Sequence, residues 1–114
     1  MAFEHVFGGI HVSDRGTAVT WYEGLFGRPP DLIPNTQEAA WRLTETAWLY
    51  VIAGAGDPGT SLHTVLVADL DSFLRRMRDA GIALGPIETN GAGVRSVYIE
   101  DPDGNRLQVG QPPG

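Results

Sequence analysis

Val67-Ala68-Asp69-Leu70-Asp71-Ser72-Phe73-Leu74-Arg75-Arg76-Met77-Arg78-Asp79-Ala80-Gly81 is the second appearance of one pattern. An alternating apolar run, Leu62 to Val67, leads to Asp69, a side chain suited to cap a helix. Leu70, Phe73, Leu74, Met77 and Ala80 then recur at helical spacing, and Gly81 stops them. The first appearance is Val12-Ser13-Asp14, with Ser13 and Asp14 as candidate caps. Ala18, Val19, Trp21, Tyr22, Leu25 and Phe26 follow at helical spacing, Gly27 stops the run, and Pro29-Pro30 forbids continuation. With Asp14 laid on Asp69, the two glycine stops match to within one residue. The period is roughly 55 residues, the signature of an internal repeat.

Working outward, each half carries the same series of strands. Before the first helix, Ile10 and Val12 alternate around His11 in an apolar run that begins at Phe3. After it come a short piece, Asp31 to Pro34, and two stronger strands, Ala39 to Thr44 and Ala47 to Ala53, joined at Thr44-Glu45-Thr46. After the second helix, Ile82 to Ile87 is a short extended piece and Val94 to Ile99 a strand. Asp101-Pro102-Asp103-Gly104 is a turn, and Leu107 to Val109 closes the sheet. The expected fold class is α+β: two βαβββ modules, roughly 1–56 and 57–114, in one domain spanning residues 1–114. One helix covers one face of each sheet, so the two sheets close into a cup with the helices outside. Gly54-Ala55-Gly56-Asp57-Pro58-Gly59 reads as a flexible linker that lets the modules pair within a chain or between chains. The same stretch fits G-x-G-x-x-G, but no amphipathic helix opens after it, so it is not a nucleotide fingerprint.

Composition excludes several chemistries. There is no cysteine among the 114 residues, hence no disulfide, thiolate zinc site or thiol nucleophile. There is no lysine either, so no Schiff base and no P-loop lysine. A net charge of −6 repels a phosphate backbone and argues against nucleic acid as partner. No segment has the roughly 20 apolar residues of a membrane span. The opening Met-Ala-Phe-Glu-His lacks the basic and apolar regions of a signal peptide, so the expected location is the cytoplasm. Arg75, Arg76 and Arg78 are surrounded by Asp69, Asp71 and Asp79 and read as a solvated helix face.

Three ordered stretches carry a resemblance across nearly the whole chain: Val12-Ser13-Asp14 with Trp21-Tyr22 and Leu25-Phe26-Gly27; Val67-Ala68-Asp69-Leu70 with Ala80-Gly81; and Asp101-Pro102-Asp103-Gly104-Asn105. They resemble the vicinal oxygen chelate superfamily of glyoxalases, bleomycin-resistance proteins and extradiol dioxygenases. The resemblance implies paired modules around a cup, a homodimer, and a ligand in the cup. It also implies a divalent metal held by His and Glu at set places. Those places here read Phe7, Leu62 (His63 falls one residue late), a strand from Trp48 to Ile52 without an acid, and Gln108. A one-residue shift turns a strand side chain to the other face, so His63 is expected on the helix side. The expectation is a cup with no metal cofactor, set against a metal site rebuilt from His5, His63 and a carboxylate.

The expected ligand-binding residues are Phe7, His11, Trp41, Trp48, Tyr50, Ser96, Tyr98 and Gln108. The aromatics would stack a planar or cationic compound, and the polar groups would orient it. His11, as a general base, and Tyr98, as a proton donor, are the candidate catalytic pair. The expected function is metal-independent binding of an aromatic or cationic small molecule, as in antibiotic resistance. The alternative is a glyoxalase-like lyase, isomerase or dioxygenase, either metal-dependent or using His11 and Tyr98.

Overall fold

The structure, a computed structural model, describes residues 2–114. Its elements run β1 (Val6–Val12), α1 (Arg15–Phe26), β2 (Leu32–Asn35), β3 (Glu38–Arg42), β4 (Ala47–Ala53), β5 (Leu62–Leu66), α2 (Leu70–Asp79), β6 (Glu88–Thr89), β7 (Arg95–Glu100) and β8 (Arg106–Gln111). The repeat read from sequence is the repeat of the fold. Asp14 and Asp69 both sit in extended backbone and cap their helices, accepting from the N–H of Thr17 and of Ser72 respectively. Each also accepts from that residue's hydroxyl. These hydrogen bonds to the charged form hold both carboxyls below the usual range.

The strands form two four-stranded mixed sheets, ordered β1-β4-β3-β2 and β5-β8-β7-β6. The first strand of each module lies parallel to the last, and the other pairings are antiparallel. The helix-facing sides of both sheets contribute to one apolar core. Ile10, Val12, Leu49 and Val51 enter it from the first sheet, and Val97, Ile99, Leu107 and Val109 from the second. Tyr22, Leu25, Leu70, Leu74 and Met77 enter from the helices. Each such aliphatic side chain contributes about 1.5–3 kcal/mol on burial, so this layer is the main source of stability.

The Asp101–Asn105 turn fastens the two modules together. Asp101 is 6% exposed. Its carboxylate accepts from the Tyr22 hydroxyl at 2.8 Å, the N–H groups of Asp103 and Asn105 at 2.9 Å, and Asn105 Nδ2 at 2.8 Å. Asn105 Nδ2 also donates to the His11 carbonyl, and Asn105 Oδ1 accepts from the Ser61 N–H. Asp103 accepts from the Ser13 N–H. Burial, and then the charge of Asp101, push the Tyr22 hydroxyl well above its ordinary pKa, so it stays a donor. A second fastening lies at the far end of α1. Arg76 Nη1 donates to the Leu25 carbonyl at 2.7 Å, placing a cation at the negative end of that helix. Arg76 is exposed, as expected of a solvated helix face, and one edge of its guanidinium also makes this contact between modules.

Three expectations change. The first strand begins at Val6, not Phe3, whose side chain is 90% exposed. The Ile82–Ile87 stretch forms no strand: Gly85 donates once to the Tyr98 carbonyl, Pro86 has no N–H to give, and the edge strand comes later as β6. The linker is pinned at two points rather than loose. Gly59 has φ +85°, and a Cβ there would overlap the Asp103 carbonyl, while Gly56 lies against the His11 imidazole.

Replacing Tyr22 by Phe leaves a buried carboxylate short of one donor, at an expected cost of about 1.5–3 kcal/mol in urea denaturation. Gly59→Ala, where both φ and space exclude a side chain, should lower stability by more than about 1 kcal/mol. Unchanged midpoints in both would show that the turn does not fasten the modules.

Candidate functional site

Each sheet has helices on one side only, and its other face is open. Pairing register fixes three rows across the first open face. Phe7, Trp48 and Arg42 form one; Gly9, Tyr50 and Ala40 the next; His11, Ile52 and Glu38 the third. The outer rows are four residues apart along the strand, roughly 13 Å. The Phe7 and Trp48 rings stack at 5.2 Å with planes 15° apart, and the Arg42 guanidinium lies 5.9 Å from the Trp48 ring centroid. A Cβ on Gly9 would come within 2.7 Å of the Tyr50 hydroxyl, so only glycine lets that ring lie across β1. Phe7, Leu32, Pro34, Glu38, Ala40 and Tyr50 line a shallow cavity of about 180 Å³ on this face. Two buried nitrogens here, Trp48 Nε1 and His11 Nδ1, have no partner among the described residues.

The second open face is polar in its middle. Thr64 donates to Gln108 Oε1 at 3.2 Å, and Gln108 Nε2 donates to Ser96 at 3.1 Å, which links β5, β8 and β7. Tyr98 lies directly across from Gln108, and the Arg106 guanidinium sits 4.2 Å from the Tyr98 ring centroid. Leu62 and Leu66 flank Thr64 and are 59% and 58% exposed.

The eight expected ligand-binding residues thus divide. Phe7, His11, Trp48 and Tyr50 come together on the first open face, and Ser96, Tyr98 and Gln108 on the second. Trp41 is a correction. It is fully buried on the helix side of β3, packed against Tyr22 and Phe26, and its Nε1 donates to the Arg28 carbonyl. Strand alternation is the reason: Trp41 pairs with Leu49, which is also a core residue. The candidate pair His11 and Tyr98 sits on different sheets. Sequence reading missed Arg42, Glu38 and Thr64, which share the open faces. Counting by twos from Ala40 and from Leu62 would have found them once the register was known.

The places at which the family resemblance puts metal ligands do not fit a divalent cation. Phe7 offers a ring, Leu62 an alkyl group, the strand from Trp48 to Ile52 no acid, and the amide oxygen of Gln108 already accepts from Thr64. His63 lies on the other face, its imidazole beside Gly8. No cluster of three His, Cys, Asp or Glu able to hold a metal occurs among the described residues.

Paired βαβββ modules with open, side-chain-lined sheets define the class. The Glyoxalase/Bleomycin resistance protein/Dioxygenase superfamily model matches residues 2–109, and the chain belongs to that family. A glyoxalase/bleomycin resistance protein from Catenulispora acidiphila DSM 44928 superposes with a TM-score of 0.90 at 35% identity, covering 97% of this chain and 100% of that one. A virulence protein of Salmonella typhimurium is 28% identical over 114 residues, covering 90% of this chain and 79% of that protein. A bleomycin-binding protein in complex with bleomycin shares the fold, with a TM-score of 0.80 at 18% identity over 97% of this chain and 100% of that one. No helix among the described residues is long and apolar enough to cross a membrane.

Burial lowers the His63 pKa from its ordinary value of 6.5. The unfolded chain therefore binds more protons than the folded one below that value. Stability should fall as pH drops through 6.5 and level off below the folded pKa. In His63→Gln the decline in urea stability between pH 7 and pH 5 should be shallower. An equal decline would show that His63 is not the group responsible.

Proposed function

We propose that this chain is a metal-independent small-molecule-binding protein of the bleomycin-resistance type, acting as a cytoplasmic homodimer. The observation that carries the reading is the open aromatic row: Phe7 stacked on Trp48, beside an indole N–H with no partner. A planar ring can extend that stack. Arg42 stands at the Trp48 end of the face and Glu38 at the His11 end, so an aromatic ligand with a positive group would lie with that group toward Glu38. Binding alone protects by mass action and needs no chemistry.

The dimer is supported by apolar surface left open on both sheets. Phe7, Leu32, Leu62 and Leu66 are each about half exposed or more and lie on the open sides of the sheets. Facing the first sheet of one copy with the second sheet of another would cover these residues and bring Trp48 and Tyr50 opposite Tyr98 and Gln108.

A second reading is a glyoxalase-like enzyme in which His11 acts as base and Tyr98 as proton donor. It is favoured by one observation, the unpartnered His11 Nδ1. It requires the same facing of sheets, because the two residues lie on different ones.

Three measurements test this. Protein purified without chelator should carry well under one nickel, zinc, manganese or iron per chain; stoichiometric metal would overturn metal independence. Sedimentation should give a dimer, and a monomer at every concentration would remove the paired cup. Bleomycin, as a first aromatic and cationic probe in a wider thermal-shift screen, should quench tryptophan fluorescence. Trp48→Ala should weaken any ligand that quenches tryptophan fluorescence by more than about 1 kcal/mol.

A further inference from the structure

A crevice of about 200 Å³ lies where the two modules meet on their helix sides. It is separate from the aromatic row of the first open face. Leu25 and Phe26 at the end of α1 form one wall, Val65 and Val67 another, and Phe73 of α2 a third. Two arginines, Arg28 and Arg76, belong to the lining, and no acid does. That is notable in a chain with 14 acids against eight bases. Arg28 is paired with Asp31 at 3.1 Å. Arg76 has no carboxylate within salt-bridge distance among the described residues. Its Nη1 donates to the Leu25 carbonyl, and its Cζ sits 5.5 Å from the Phe73 ring centroid. One edge of the fork is thus fixed in place, and other N–H groups are left with no acid to meet.

We infer that this crevice is a second ligand site, for a small apolar molecule carrying one carboxylate. The volume suits a single ring or a short alkyl chain; a dry apolar cavity of about 150 Å³ accepts benzene. The apolar walls take the body of the ligand. Arg76, held by the α1 carbonyl and by Phe73, takes the carboxylate as a pre-positioned fork, which loses less side-chain freedom on binding than a mobile arginine would. The inference does not rest on the function proposed above, since none of the aromatic-row residues lines this crevice.

Phenylacetate and hexanoate are the probes, with benzyl alcohol and benzylammonium as controls, followed by methyl NMR at Leu25, Val65 and Val67. The expected result is saturable shifts at those methyls for both carboxylates. Binding should be about tenfold weaker or worse for the alcohol, and absent for the ammonium. Arg76→Gln should lose the preference for carboxylate over alcohol, and Arg76→Lys should keep part of it. Trp48→Ala should leave phenylacetate binding unchanged. No saturable shift, equal binding of alcohol and carboxylate, or preference for the ammonium would overturn the site. So would shifts at these methyls that follow protein concentration without ligand, because a second copy would then fill the crevice. If Arg76→Gln fails to fold, the wild-type ligand series decides alone.

Discussion

The Asp101 carboxylate, buried and held by four hydrogen bonds, is the joint on which the arrangement of the two modules depends. A bare carboxylate in that place would be strongly destabilising. Its donors come from two directions: the turn's own backbone and Asn105 amide, and the hydroxyl of Tyr22 on the other module's helix. Asn105 continues the chain of contacts to the end of β1 through the His11 carbonyl and to the start of β5 through the Ser61 N–H. One five-residue turn thus sets where α1, β1 and β5 lie relative to β7 and β8. The same contacts end the freedom of the linker, since Gly59 fits against this turn only because it has no side chain.

Fastening on the helix side has a consequence on the opposite side. The apolar layer is shared between modules, so each sheet is stabilised without anything covering its second face. Side chains there are free to be chosen for something other than the core. Alternation along the strands then decides every residue's role. Leu49 and Val51 go to the core, while Trp48 and Tyr50 go to the open face. Gly9 has no side chain because Tyr50 needs the space. That is a packing cost in β1 which the core gives no reason to accept, and it marks the face as shaped for the aromatic ring.

Legibility in the sequence followed the strength of the local signal. The repeat, both caps and both glycine stops were readable because they depend on near neighbours in the chain. Gly27, for example, adopts φ +75° to end α1. The parity of β4 was readable because its aliphatics and aromatics separate cleanly by twos. Trp41 was misplaced because β3 offers only Ala39 and Ala40 beside it, so size gave no indication of face. Its partner Leu49 settles the matter, and pairing register cannot be read from one strand. Arg76 lies on the solvated face that its helix pattern indicates, but its bond to the α1 carbonyl had no local signal because that carbonyl is 51 residues away in sequence. The role of Asp101 was half visible. Its turn geometry is local, but its bond to Tyr22 spans 79 residues.

Gln108 shows how one substitution can reorganise a face. It stands between two hydroxyls, with Thr64 donating to its oxygen and Ser96 accepting from its nitrogen. A carboxylate at this position could accept from both hydroxyls, but it would bring a partly buried negative charge onto the sheet. A bound cation would offset that charge; without one the desolvation penalty stands. Neither β8 itself nor the neighbouring β5 supplies the cation. Arg106 lies over Tyr98, and His63 points to the other side of β5. The amide is neutral, donates and accepts, and satisfies both neighbours with no counter-ion. Together with the Phe7 ring stacked on Trp48, it leaves two of the places named by the family resemblance with neutral side chains engaged with their own neighbours.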